Sequence, residues 1–459
     1  MPLPAETSSI KIVSRRLSQP CRAQLRHHSL LLGLRRAAPT MSAATEPHAS
    51  AQTRRLSSTT TTTTKSTAAP PANPQGTAGR FSYSIAASYI AKDRPFDPST
   101  HVFHFNPYNR VQQPRQQPRN NKASRPDSGQ DAFFVSRLGQ VGSGVALGVA
   151  DGVGGWMDSG VDPADFSHSL CDYAAAEAYG HNGGVAGPGG SAGTGTALTA
   201  RQLMQRGYEA VCSDPAIPAG GSTAVVGLLG DDGTLEVANL GDSGFIHLRL
   251  NGVHAHSAPQ THAFNTPFQL SVIPPSVMQR VAAFGGAQLS DLPRDAEVSR
   301  HTLRHGDVLV LATDGLWDNL FNQDILRIVS RTMTRAGAWT ATDAGIEVAA
   351  DLGPLTRLDG AAPPTSDAGH LHHHHHHHHH APHRQKRQGP PVTLQGLLAT
   401  GLVGAAKAAS VNTKVDGPFA KEVKKYYPLE NWRGGKVDDI CVIVVVVSET
   451  QDRPAKARL

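Results

Sequence analysis

Four aspartates stand where apolar runs of strand length meet glycine or a turn. Val145-Ala146-Leu147-Gly148-Val149-Ala150 ends on Asp151-Gly152, and Val308-Leu309-Val310-Leu311-Ala312-Thr313 ends on Asp314-Gly315. Asp242 follows the run Thr234–Leu240, inside Gly241-Asp242-Ser243-Gly244. Near the C-terminus the order reverses, and Asp438-Asp439 precedes Ile440–Val447. A single Asp-Gly is a common turn. Four carboxylates tied to apolar strands, brought together, would form an oxygen-rich site suited to Mg²⁺ or Mn²⁺ rather than zinc. Two such ions about 3.5–4 Å apart would clamp a phosphate and lower the pKa of a water between them. No active-site cysteine signature and no Ser/His pair at recognisable spacing offers a competing chemistry.

The elements that must position these acids follow from pattern. Phe81, Tyr83 and Ile85 alternate as a first strand, and Asp131 opens another at Ala132–Val135. After the glycine turn at Asp151, Asp162 is placed to cap a helix with Pro163 at its first position and Asp165 in its first turn. Phe166, Leu170 and Tyr173 continue it on one face. Arg201–Val211 reads as a second helix. Thr223–Leu229, Thr234–Leu240, Phe245–Leu250 and Val253–His256 read as a β-meander, with Asn251-Gly252 as a hairpin turn. Gln323–Arg335 and Leu394–Ser410 are helical, and Ile440–Val447 is the final strand. The sum predicts an α+β fold, a two-layer antiparallel β-sandwich flanked by helices.

Composition sets the boundaries of that domain. The first 65 residues hold ten of the 43 Lys/Arg and two of the 37 Asp/Glu, so the net charge of +6 lies there and the remainder is slightly acidic. The basic balance therefore predicts no nucleic-acid-binding core. Ile10, Val13 and Leu17 share a helical face amid Lys11, Arg15 and Arg16, the pattern of a mitochondrial transit peptide over residues 1–40; a basic tail is the alternative. Residues 41–80, rich in Ser, Thr, Ala and Pro, read as a disordered linker. The domain spans 81–448 and a polar tail covers 449–459. It carries a low-complexity insertion at 351–392 with nine consecutive histidines, His372–His380. Such a run could bind metal, but its surroundings cannot build a rigid site. Cys21, Cys171, Cys212 and Cys441 show neither zinc spacing nor a disulfide framework, which favours a reducing compartment. No apolar run of about 20 residues predicts a membrane span.

The motifs together resemble a known family. Ala150–Gly155, Gly221–Ala224, Asn239–Gly244, Ala312–Asp318 and Asp438–Val442 occur in the order expected of metal-dependent Ser/Thr protein phosphatases of the 2C type. Gly154–Trp156, Gly241–Gly244 and Phe264–Leu270 look more narrowly like its mitochondrial branch. The resemblance implies two Mn²⁺ or Mg²⁺ ions, with Asp151 bridging them and the Gly152 carbonyl on one. Asp314 and Asp438 would complete the first ion's shell, Asp242 would serve a weaker third ion, and Asp318 would lie close by. It also implies phosphorylated proteins as substrates, in the mitochondrial matrix.

The sequence departs from that pattern in four places. The usual Glu-Asp pair reads Gln130-Asp131, leaving Asp131 or Asp127 to help hold the second ion. Val153 stands where a histidine is often assigned as the proton donor to the leaving group. The phosphate-binding arginine has no clean match; Lys122 and Arg125 are candidates, or simple loop charges. Asp439 replaces a common asparagine, and Asp438 is the expected ligand. These departures leave two other readings: a catalytically weak binding or scaffold protein, and a phosphatase of a small phospho-metabolite.

Overall fold

A strand buried on both faces has no polar side, so its sequence is apolar without alternation. Ile440–Glu449 is the clearest example. In the computed structural model, Ile440, Val442, Val444 and Val446 face one apolar core, while Cys441, Ile443, Val445 and Val447 face another. Burying each such aliphatic side chain contributes about 1.5–3 kcal/mol. The structure describes residues 80–105, 122, 125–139, 144–181, 197–275, 277, 279, 290–358 and 392–450. All of them fall in one compact unit, Thr77–Arg280 with Ala287–Leu459; the other unit, Met1–Gly76 with Val281–Gly286, lies outside the described residues. So do the predicted transit peptide, most of the linker and the polyhistidine run.

Among the described residues, eleven strands make the two layers: β1 (Phe81–Ile90), β2 (Val102–Phe105), β3 (Asp131–Arg137), β4 (Val145–Asp151), β5 (Ala224–Leu229), β6 (Thr234–Leu240), β7 (Gly244–Arg249), β8 (Gly252–His256), β9 (Glu297–Thr302), β10 (Val308–Ala312) and β11 (Ile440–Glu449). One sheet has the order β2-β1-β11-β10-β7-β8, the other β9-β6-β5-β4-β3, and every pairing within them is antiparallel. Helices α1 (Pro163–Gly180) and α2 (Ala200–Ser213) cover the five-stranded sheet. Helices α3 (Asn322–Arg335) and α4 (Leu394–Ser410) cover the six-stranded sheet. The predicted cap forms: Asp162 accepts a hydrogen bond from the Ala164 N–H, with Pro163 opening the helix. None of the described helices is long and apolar enough to cross a membrane.

The expected meander needs correction. β6 lies in the five-stranded sheet and β7 in the six-stranded one. The chain crosses between layers at Gly241-Asp242-Ser243, where Gly241 has φ +104°. Both strands are buried on both faces, so their sequences carry no sign of which sheet they join. β2, β9, the hairpin Trp339–Thr342/Gly345–Val348 and helix α5 (Pro418–Tyr426) are additional to the expected elements.

A carboxylate-rich candidate metal centre

Asp131 opens β3 and Asp151 ends β4, and the register sets them directly opposite each other. On the facing sheet, β10 and β11 are antiparallel neighbours with Ala312 opposite Val442. The end of one and the start of the other therefore meet, which brings Asp314 toward Asp438-Asp439. A hydrogen-bond chain ties the two sheets at this end. The Thr313 hydroxyl donates to Asp131 Oδ2 at 2.7 Å, and the Cys441 N–H donates to Thr313 Oγ1 at 3.0 Å.

Close backbone approach explains the glycines. A Cβ on Gly315 would stand 1.9 Å from the Asp439 carbonyl oxygen. One on Gly152 would stand 2.8 Å from the Pro163 carbonyl oxygen and 2.9 Å from that of Gln130. Either contact would push apart the segments that carry the acids.

Asp131, Asp151, Asp242, Asp314, Asp318, Asp438 and Asp439 all gather here, and their charges interact. Burial pushes the carboxyls of Asp131 and Asp151 well above the usual range, and neighbouring carboxylates push the same way. Burial and Asp314 raise Asp242 likewise, against the pull of Lys436. Asp318 is pushed up to about 7, chiefly by burial. Asp314 goes the other way: burial would raise it, but the Lys436 ammonium and hydrogen bonds with Asp151 and Asp318 together outweigh burial and hold it below the usual value.

The Lys436 Nζ lies 2.6 Å from Asp314 Oδ2, 2.6 Å from Asp318 Oδ2 and 2.9 Å from Asp438 Oδ2. The sequence reading missed this residue, although a signal exists. Lys436 and Asp438 are two apart on an extended approach to β11, so they share a face. Asn319 was missed as well. Its amide clamps the Lys436 backbone, donating to the Lys436 carbonyl and accepting from the Lys436 N–H, both at 2.9 Å.

The two acids before β11 have different tasks. Asp439 accepts from the Lys92 N–H at 2.7 Å and the Gln130 N–H at 2.8 Å, so it fastens the loops around the site. Asp438 points into the cluster. The candidate phosphate cations are engaged elsewhere. Lys122 Nζ lies 2.7 Å from Asp162, and Arg125 Nη2 lies 2.6 Å from Asp165, at the start of α1.

The donor set fits divalent metal. Asp314, Asp318 and Asp438 offer oxygens within 4.8 Å of one another. Asp131 Oδ1 and Asp242 Oδ1 are buried and accept no hydrogen bond. Carboxylates left this way call for a cation, and all-oxygen ligands favour a hard one.

No protein-family model matches the sequence. Curated relatives do. Protein phosphatase PTC7 homolog fig of Drosophila grimshawi is 31% identical over 326 residues, covering 70% of this chain and 80% of that one. The fig homolog of Drosophila ananassae is 40% identical over 208 residues, 44% of this chain and 55% of that one. Protein phosphatase 2C homolog 7, mitochondrial, of Saccharomyces cerevisiae is 33% identical over 207 residues, 44% of this chain and 56% of that one. The chain thus spans little more than half the length of the latter two. With a shared length of four-fifths in the Drosophila grimshawi protein, the sequence belongs to the protein phosphatase 2C family, among the PTC7 homologues.

Proposed function

We propose that this chain is a metal-dependent protein serine/threonine phosphatase acting on mitochondrial phosphoproteins. The observation that carries the reading is the charge at one end of the sandwich, where seven aspartates gather and, among the described residues, one buried ammonium, that of Lys436, touches three of them. Asp151 would bridge two Mn²⁺ or Mg²⁺ ions, with Asp314, Asp438 and the Gly152 carbonyl around one of them. Asp131 would serve the other and Asp242 a weaker third. Bound there, the ions would supply an activated water and neutralise the phosphoryl charge.

The chain's own residues do the rest. Thr313 fixes the rotamer of Asp131 and spans the two sheets. Asp439 holds the Lys92 and Gln130 backbones at the rim. Val153 has no ionisable hydrogen, so the proton for the departing serine or threonine oxygen would come from water or from another residue. The mitochondrial assignment is supported by the yeast relative's name and by the basic, acid-poor N-terminal segment. The domain limits 81–448 remain part of this proposal.

The placement of Lys436 among three candidate ligands, with Gln130 and Val153, favours a second reading, a scaffold that retains the fold without catalysis. One experiment separates them: hydrolysis of phosphoserine peptides and of small phosphate monoesters by the full chain, with and without Mn²⁺, beside Asp314→Asn. Peptide hydrolysis that needs Mn²⁺ and is lost in the variant is the expected result. Turnover of monoesters alone points to a metabolite phosphatase. No turnover of either by the folded chain, with no Mn²⁺ bound at millimolar metal in a parallel titration, points to the scaffold.

A further inference from the structure

We propose that the Lys436 ammonium is a built-in cation of the carboxylate cluster, which a divalent ion must displace from between Asp314, Asp318 and Asp438. The inference rests on the metal-dependent reading above and adds a control on loading. Lys436 Nζ touches all three carboxylates at 2.6–2.9 Å. Those three residues are the one group of potential metal ligands with oxygens mutually within 4.8 Å among the described residues. A point between three carboxylate oxygens can hold one cation, because a second positive charge a few ångström away would meet strong repulsion in a poorly solvated site.

The position of this ammonium is built by the fold. Asn319 clamps the Lys436 backbone through two hydrogen bonds and also donates to the Gly315 carbonyl, which locks the lysine to the turn that carries Asp314. Gly435 lets the segment lie against α4, where a Cβ would come within 2.2 Å of the Ala409 carbonyl oxygen. The Phe419 ring of α5 lies 5.1 Å from Nζ. The side chain itself keeps 7% exposure. A four-carbon stem lets the charge leave while the backbone stays fixed, which a planar, bidentate arginine would do less readily. With the lysine in place, the metal-free protein has part of its carboxylate charge neutralised. Metal loading then exchanges one cation for another instead of filling an open site.

The test is calorimetric titration of Mn²⁺ into the EDTA-stripped full-length protein, for wild type, Lys436→Met, Lys436→Gln and Lys436→Arg. Melting curves with and without Mn²⁺ accompany it. Lys436→Met and Lys436→Gln should bind Mn²⁺ about tenfold tighter or more, since no ammonium has to leave. Their metal-free melting temperature should fall by about 5 °C or more, and Mn²⁺ should restore it. Lys436→Arg should bind no tighter than wild type. A lysine that is merely structural would lower the melting temperature without tightening metal binding, and wild-type or weaker affinity in folded Met and Gln variants would overturn the inference. Failure of both variants to fold even with Mn²⁺ would overturn it too. If wild type takes up no Mn²⁺ while the neutral variants do, the inference stands. If none of the four binds, the metal-dependent reading itself fails and takes the inference with it.

Discussion

Asp307, buried, and Asp151, half-buried, are aspartates attached to strands of one sandwich, at opposite ends of it. Asp307 precedes β10 and has every oxygen matched. Arg249 donates to it through Nε at 2.8 Å and Nη2 at 2.7 Å, His247 Nε2 lies at 2.8 Å, and the Arg304 N–H donates at 2.8 Å. Burial would raise the Asp307 carboxyl, but Arg249 and His247 outweigh it and hold it below the usual value. Asp151 has burial and four neighbouring carboxylates pushing it up. The same residue type is thus a structural anchor where the fold matches it with cations and a ligand candidate where carboxylates outnumber them. Excess charge with orphaned oxygens on Asp131 and Asp242, more than burial, distinguishes the candidate centre.

Exchanging charge for amide at each end should separate activity from stability. Asp151→Asn is expected to lower Mn²⁺-dependent phosphopeptide turnover by about a thousandfold, roughly 4 kcal/mol of barrier. Its metal-free melting temperature should hold or rise, because one like charge has gone. Asp307→Asn should do the reverse, costing about 3–5 kcal/mol in urea unfolding by leaving Arg249 and His247 without their carboxylate. At a temperature where it is folded, its kcat/KM should stay within about twofold of wild type. A comparable loss of activity in both variants would erase the distinction.

Acidity should sharpen it. The Asp318 carboxyl, pushed to about 7, holds a proton in the folded state that the unfolded chain releases at its ordinary value. Folded protein then binds more protons, so metal-free stability should decline as pH rises from about 4 to about 7. Asp307 is shifted downward, so its contribution is present above the ordinary carboxylate value and is lost as pH falls below about 4. Melting temperatures measured in EDTA from acid to neutral pH should therefore show two limbs of opposite slope. Asp318→Asn should flatten the upper limb and Asp307→Asn the lower one. The smallest effect belongs to Lys122→Ala. That side chain is 58% exposed in its pair with Asp162, and its loss should change stability by about 0–1 kcal/mol. An unchanged KM for phosphopeptide is expected; a rise of tenfold would return Lys122 to the phosphate-binding role.

The gathering of Asp151, Asp314 and Asp438-Asp439 was legible because each adjoins a strong local signal, an apolar run broken by Asp-Gly or begun after Asp-Asp; Asp131, Asp242 and Asp318 carry neither signal. Helix α1 was legible through its cap at Asp162 and Pro163. The layer change between β6 and β7 was not, since a strand buried on both faces reads the same in either sheet. β9 was missed for the opposite reason. Its sequence Glu297-Val298-Ser299-Arg300-His301-Thr302 is polar at an edge, and it is held by pairing with β6 and by Arg300 on Glu236 at 2.7 Å. Lys436 was not legible, since its two-residue spacing from Asp438 sets a shared face but does not say that three acids converge on it.

The position of β11 between β1 and β10 has a consequence for how the protein is made. Phe81 pairs with Glu449 and Ile90 with Ile440, so the first described strand closes onto the last. During translation at about 5–20 residues per second, β1 leaves the ribosome tens of seconds before its partner exists. Until then its hydrogen-bonding edge is open, and the strand needs shielding from other chains. Asp438 and Asp439 emerge immediately ahead of that same closing strand. The event that completes the sheet therefore also delivers the last two of the seven carboxylates.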